Sequence, residues 1–133
     1  MKARIIVADA VSVHPDGTFS LLRGGIDRVW AGARGRPIVF NAGIAVQFSA
    51  GPGELGRHEF KIACVNEDGN AVAPEVSGNF EIKEPGGVVI GFNMNIVFPK
   101  PGRYSFTVSA DRNELDYQTI TAMEEPPQAI KPH

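Results

Sequence analysis

A single cysteine, Cys64, is all the thiol that 133 residues carry. An internal disulfide is thereby excluded, the fold must be held by burial and hydrogen bonding, and a reducing compartment suits it. No run approaches the roughly eighteen uninterrupted apolar residues of a membrane-crossing helix. An excess of one charge is missing too: thirteen Lys and Arg against fifteen Asp and Glu leave a net charge of −2, which supplies no global field toward nucleic acid or an anionic membrane. No ten-residue stretch repeats its apolar positions with the period of an amphipathic helix. The three histidines, His14, His58 and His133, are too scattered for the ligand spacing of a zinc site. Neither a Gly-Lys-Ser/Thr phosphate loop nor a Gly-x-Ser-x-Gly nucleophile elbow occurs.

What is present is alternation. In Val88 to Phe98 every even position is large and apolar, whereas Gly91, Asn93 and Asn95 fall on odd ones, the period of a half-buried strand. After the Pro99-Lys100-Pro101-Gly102 turn, Tyr104, Phe106, Val108 and Ala110 resume the inward face. Ile38, Phe40, Ala42, Ile44, Val46 and Phe48 form another such face, and Phe60, Ile62 and Cys64 a shorter one. Arg4 to Ser12 is apolar on both faces, which predicts a strand central to its sheet. Thr18 to Leu22, Ile26 to Trp30, Val76 to Lys83 and Leu115 to Ala122 complete the set, the last with a slipped pattern that predicts a bulge between Tyr117 and Ile120. Pro15-Asp16-Gly17 and Asp68-Gly69 supply hairpin turns. With 43% hydrophobic and 21% charged residues, the chain reads as one all-β domain: a two-sheet antiparallel sandwich, immunoglobulin-like or jelly-roll-like, of eight or nine strands, with a barrel as the rival. Residues 1–123 form the domain, and 124–133, with three prolines, a mobile tail.

The start, Met1 to Ala10, imitates an export signal, with two basic residues, an apolar run and Ala8-Asp9-Ala10. That run is only four residues long before Asp9, against about seven to fifteen in a signal, so it is assigned to the first strand and the protein to the cytoplasm.

The order of motifs resembles a family of small, uncharacterised bacterial β-sandwich proteins. The resemblance is carried by Ala8-Asp9-Ala10, Asp16-Gly17-Thr18-Phe19, Arg23-Gly24-Gly25-Ile26-Asp27-Arg28-Val29, Gly56-Arg57-His58, Asn66-Glu67-Asp68-Gly69 and Pro101-Gly102-Arg103-Tyr104-Ser105-Phe106, and spans about residues 4 to 122. It implies a compact sandwich of unknown role with no catalytic residues to carry over. The chain departs from the pattern after Gly17, where a shorter turn or a Lys-Leu pair would stand.

Several stretches invite a chemical reading. Gly51-Pro52-Gly53-Glu54-Leu55-Gly56 matches a dinucleotide fingerprint letter by letter, but a strand pattern follows where the pyrophosphate needs a helix N-terminus, and a surface loop is the better reading. Asp111 to Asp116 and Asn66 to Asn70 gather oxygens as calcium loops do, without the full spacing and distal Glu; turn geometry explains them. Cys64 and His58 share a strand face yet lie six residues, about 20 Å, apart, so Cys64 is read as buried and apolar, not as a nucleophile. Asp9, a charge inside an apolar strand, is read as a structural cap or sheet-end residue. No cofactor or metal is expected, and no enzymatic activity.

Arg23, Arg28, Arg34 and Arg36 fall within fourteen residues around Trp30. Trp and Arg are the types enriched in binding hot spots, so Trp30, Arg28, Arg34 and Arg36 are the candidate interaction surface. The function expected is a non-enzymatic protein-binding or structural module, engaging another protein or itself through its surface or unpaired edges, with no membrane role. The alternative is a carbohydrate-binding or hydrolytic domain with a loop-built pocket, for which Trp30 and Tyr117 are the aromatic candidates. Single-stranded nucleic acid binding through the Arg/Trp loop ranks third.

Overall fold

A computed structural model describes residues 1–30 and 36–124. Ten strands follow one another: β1 (Lys2–Ala8), β2 (Ala10–Val13), β3 (Phe19–Leu22), β4 (Arg28–Trp30), β5 (Ile38–Ala50), β6 (Gly56–Val65), β7 (Val76–Ile82), β8 (Gly86–Phe98), β9 (Gly102–Ala110) and β10 (Asn113–Met123). One 3-10 turn, Pro52–Glu54, precedes β6. The strands form a three-stranded sheet in the order β1-β5-β8, a five-stranded sheet in the order β4-β10-β9-β6-β7, and a separate β2-β3 hairpin. All pairings are antiparallel except β4 with β10.

Alternation builds the core as expected. Phe40, Ala42, Ile44, Val46 and Phe48 of β5 and Tyr104, Phe106, Val108 and Ala110 of β9 are all buried in one apolar cluster shared by the two larger sheets. Aromatic rings bridge the sheets: Phe48 stacks on Phe80 of β7 at 4.5 Å between centroids, and Phe98 lies 4.3 Å from Tyr104. Cys64 is buried in the same cluster, where desolvation pushes its thiol up to about 12 and leaves no thiolate at neutral pH.

The strand count exceeds the expected eight or nine because Arg4 to Ser12 is not one strand. The chain breaks at Asp9: β1 pairs with β5, while β2 leaves the sheet and pairs with β3. Asp9 N–H donates to the Leu22 carbonyl at 2.9 Å, and its carboxylate takes a two-pronged bond from Arg23, at 2.7 Å from Nε and 3.0 Å from Nη2. Both faces of β1 are apolar because both are covered: Ile5 and Val7 enter the core, while Ile6 on the other face is half-buried beside Gly24. The stretch is also not central to its sheet, since β1 is an edge. That edge is closed by other groups: Ile5 N–H donates to Asp116 Oδ2 at 2.9 Å, and the Val7 carbonyl accepts from Gly25 and Ile26.

The bulge in β10 falls earlier than the pattern indicated, between Glu114 and Asp116. The extra residue there, Leu115, packs against the core and swings Asp116 toward β1. The final segment, expected to be mobile, lies outside the described residues beyond Glu124.

Candidate functional site

Three polar arrangements and one bare edge are the features with functional meaning. The hairpin β2-β3 lies across the outer face of the three-stranded sheet. It can do so because Gly43 and Gly91 present no side chain there: a Cβ on Gly43 would stand 2.6 Å from the Ala10 carbonyl carbon, and one on Gly91 2.7 Å from Val13 Cγ2. Asn93 locks it down, its amide exchanging two 3.0 Å hydrogen bonds with the backbone of Val11 as a neighbouring strand would. At the hairpin's end His14 Nε2 sits 2.7 Å from Ser20 Oγ, but both are exposed, and the Asp16 carboxylate is taken up by the N–H and hydroxyl of Thr18, so no catalytic triad forms.

A second arrangement joins parts 53 residues apart. His58 Nε2–H donates to the Glu54 carbonyl at 2.6 Å, and Nδ1 faces Asp111 Oδ2 at 2.5 Å. Asp111 also accepts from Glu59 N–H at 3.0 Å, and the Glu54 carboxylate receives the Met1 ammonium and Gly51 N–H. With acceptors on both ring nitrogens, the imidazolium is the form that fits. The Asp111 contact, then the Glu54 carbonyl, raises the His58 pKa, and the His58 contact, then the Glu59 N–H, lowers that of Asp111. The ring is stacked 5.5 Å from Phe80. Neither nitrogen is free to take a proton from a substrate, so the group is a clamp and not a general base.

The clamp also explains a turn. Asp111 and Arg112 have φ of +50° and +72°, the two left-handed residues of a tight hairpin connection, and an aspartate held by His58 and Glu59 steadies a conformation that L-residues adopt at a cost. Because His58 gains stability as a cation, the clamp's contribution is complete below the ordinary histidine value of 6.5 and is lost as pH rises through the raised folded value. For Asp111 the sign is opposite: its contribution holds above the ordinary 3.8 and disappears as pH falls through the lowered folded value. The melting temperature of the native chain should therefore exceed that of His58→Leu most between about pH 4 and pH 6.5, with the gap narrowing by about pH 9. A gap that does not change with pH would show that the ring is neutral.

The Trp30 surface is only partly assembled. Val29 packs against the core, so Arg28 and Trp30, its neighbours, project from the opposite face of β4. Arg28 is exposed beside Asp27, at 3.4 Å, while Trp30 is half-buried and its indole N–H is buried without an acceptor among the described residues. Arg36 is exposed at the rim of a depression formed with Pro99, Lys100 and Glu124. Arg34 lies outside the described residues. Tyr117, 64% exposed, projects from β10 six residues from Met123, the partner of Trp30, so the two aromatics stand about 20 Å apart and share no sugar platform. The calcium-like turns spend oxygens on protein donors: Asn66 Oδ1 accepts from Asp68 and Asn70 of its own turn, while Asp111 and Asp116 are engaged by the N–H groups of Glu59 and Ile5. Among the described residues no three His, Cys, Asp or Glu gather as metal ligands would.

The bare edge is β8. Ile5 and Val7 of β1 point their backbone groups away from β5; alternation then carries through the continuous registers of β5, so Val88, Ile90, Phe92, Met94 and Ile96 bond to β5, and Val89, Gly91, Asn93, Asn95 and Val97 point N–H and C=O outward. No described residue satisfies those outward groups. The core-facing side chains of Val88, Ile90, Phe92 and Met94 are only half-buried, so an apolar strip runs beneath the edge. Across the sheet the cross-strand pair Val39 and Val97 is 62% and 49% exposed.

Fold and site together define an all-β protein whose polar clusters are structural fastenings and whose one long strand edge is unpaired among the described residues. The chain belongs to DUF6941, a family of unknown function, whose family model matches residues 3–122. No curated protein matches it. Among the described residues no helix is long and apolar enough to cross a membrane.

Neither fastening nor edge was visible from spacing alone. Asp111 and His58 meet only because β9 pairs with β6, bringing Ala110 opposite Phe60. The sequence carried no signal for the edge: β8 is thirteen residues without one charge, but so is β5, the central strand of the same sheet.

Proposed function

We propose that this chain is a non-enzymatic protein-binding module that works by adding a strand to β8. A two-sheet sandwich over residues 1–123, closed around the shared core of the two larger sheets, provides the rigid scaffold, and the lone buried thiol is compatible with work in the cytoplasm. The observation that carries the reading is the thirteen-residue, uncharged β8 edge above a half-buried apolar strip. Strand addition draws affinity from backbone hydrogen bonds and selectivity from alternate side-chain sites, and β8 offers both. Adding an extended peptide of alternating Val and Thr should slow amide exchange at Val89, Gly91, Asn95 and Val97 while leaving β7, an edge of the five-stranded sheet, unchanged. Unaltered exchange at these four amides under saturating peptide would overturn the reading.

A further inference from the structure

We infer that the strand added to β8 is β8 of a second copy of this chain, paired antiparallel about a two-fold axis. This rests on the strand-addition reading and names its occupant.

The four edges of the two larger sheets are not alike. β1 carries Lys2 and Arg4 and has its outward groups taken by Asp116, Gly25 and Ile26. β4 is three residues long and bears Arg28. β7 carries Glu81 and is preceded by Glu75, which lies 3.7 Å from Lys61. Charges, brevity and borrowed caps are how proteins keep sheet edges from pairing. From Gly86 to Phe98, β8 has none of these and no proline.

That absence selects a copy of the same strand. Around a two-fold axis each residue faces the one an equal distance beyond the axis, so a charge close to the axis would meet its like and one farther out would need an opposite charge at the mirrored position. Of these four edges β8 alone escapes this, and it offers no charge with which to choose a foreign partner. The pattern also survives the symmetry operation. With the axis at Asn93, Gly91 faces Asn95 and Val89 faces Val97 through the outward backbone groups, while Phe92 meets Met94 and Ile90 meets Ile96 on the core side. Apolar meets apolar beneath the sheet. The β2-β3 hairpins, each seated over its own Gly91, are then offset by four residues, about 13 Å, along the strands.

The area is sufficient. A pairing of about nine residues is about 30 Å long, and a strip of that length about 20 Å wide removes on the order of 600 Å² from each copy, the lower bound for a specific interface. Two three-stranded sheets thereby become one of six strands, and the half-buried strip under β8 gains its cover.

The test is light scattering on the full chain from about 1 to about 100 µM, a range that brackets weak to moderate dimers. Two variants accompany it. Asn95→Pro removes one outward N–H, a substitution an edge strand tolerates, and Val97→Lys places a charge on an exposed outer position; a thermal melt confirms that both fold. The expected result is a concentration-dependent dimer whose dissociation constant rises at least tenfold in each variant, with amide protection at Val89, Gly91, Asn95 and Val97 appearing as the dimer forms. A dimer indifferent to both variants would overturn the assignment to β8. A monomer at every concentration that still takes up the Val/Thr peptide would overturn the second copy and leave strand addition standing. A monomer that takes up no peptide would overturn both.

Discussion

Gly43→Ala is expected to destabilise the protein by on the order of 3 kcal/mol, although it adds one methyl group to a strand that alanine otherwise suits. The new carbon would stand 2.6 Å from the Ala10 carbonyl carbon and 2.7 Å from both Ala10 Cα and Val11 N. These are backbone atoms of a strand that Asn93 holds by two hydrogen bonds, so no rotamer change relieves the overlap and the hairpin must lift. Gly91→Ala provides the contrast. Its methyl would meet the Cγ atoms of Val13 and Val11, which can turn aside, and about 1 kcal/mol is expected. Urea unfolding of the two variants checks the difference. If Gly43→Ala unfolds within about 0.5 kcal/mol of the native chain, the hairpin is not seated on β5.

Phe48→Ala is expected to cost about 4 kcal/mol, a large share of the roughly 5 to 15 kcal/mol that holds a domain of this size. Phe48 is fully buried, and its ring is the three-stranded sheet's contact with Phe80 at 4.5 Å. Removing it leaves a cavity between two sheets whose backbones are fixed by their own ladders, so the walls cannot collapse onto it. Phe92→Ala, the same chemical change on half-buried β8, should cost about half as much in a dilute monomer, because part of that ring already faces solvent. The ordering Phe48 before Phe92 in unfolding free energy is the measured outcome. Equal losses would mean that the β8 strip is as well covered as the centre of the core.

Much of the fold was legible because strand side chains alternate along a regular ladder. Ile38 to Phe48 and Tyr104 to Ala110 could be assigned to a face residue by residue, and the turns at Gly17 and Gly69, with φ of +84° and +81°, announced themselves by chemistry that few other residues tolerate. Asp9 was legible as an oddity, but its meaning was not. A charge in an apolar run marks the point where the chain changes sheets, and only the Arg23 contact shows it. The candidate surface around Trp30 was proposed from residue types, which carry no information about exposure; Val29 takes the inward position and Trp30 ends half-buried.

Local alternation, turn chemistry and the lone thiol were determined by the sequence itself, since each depends on neighbours within a few residues. Which strands are edges, which glycines make room for another backbone, and which histidine meets which aspartate were decided only by the tertiary structure. These depend on contacts between residues far apart in the chain, 53 positions for His58 with Asp111 and 111 for Ile5 with Asp116, and no periodicity in a single chain encodes the partner. The unpaired side of β8 belongs to that second group: thirteen uncharged residues can be counted in advance, but that no described strand lies beyond them is a property of the sheet.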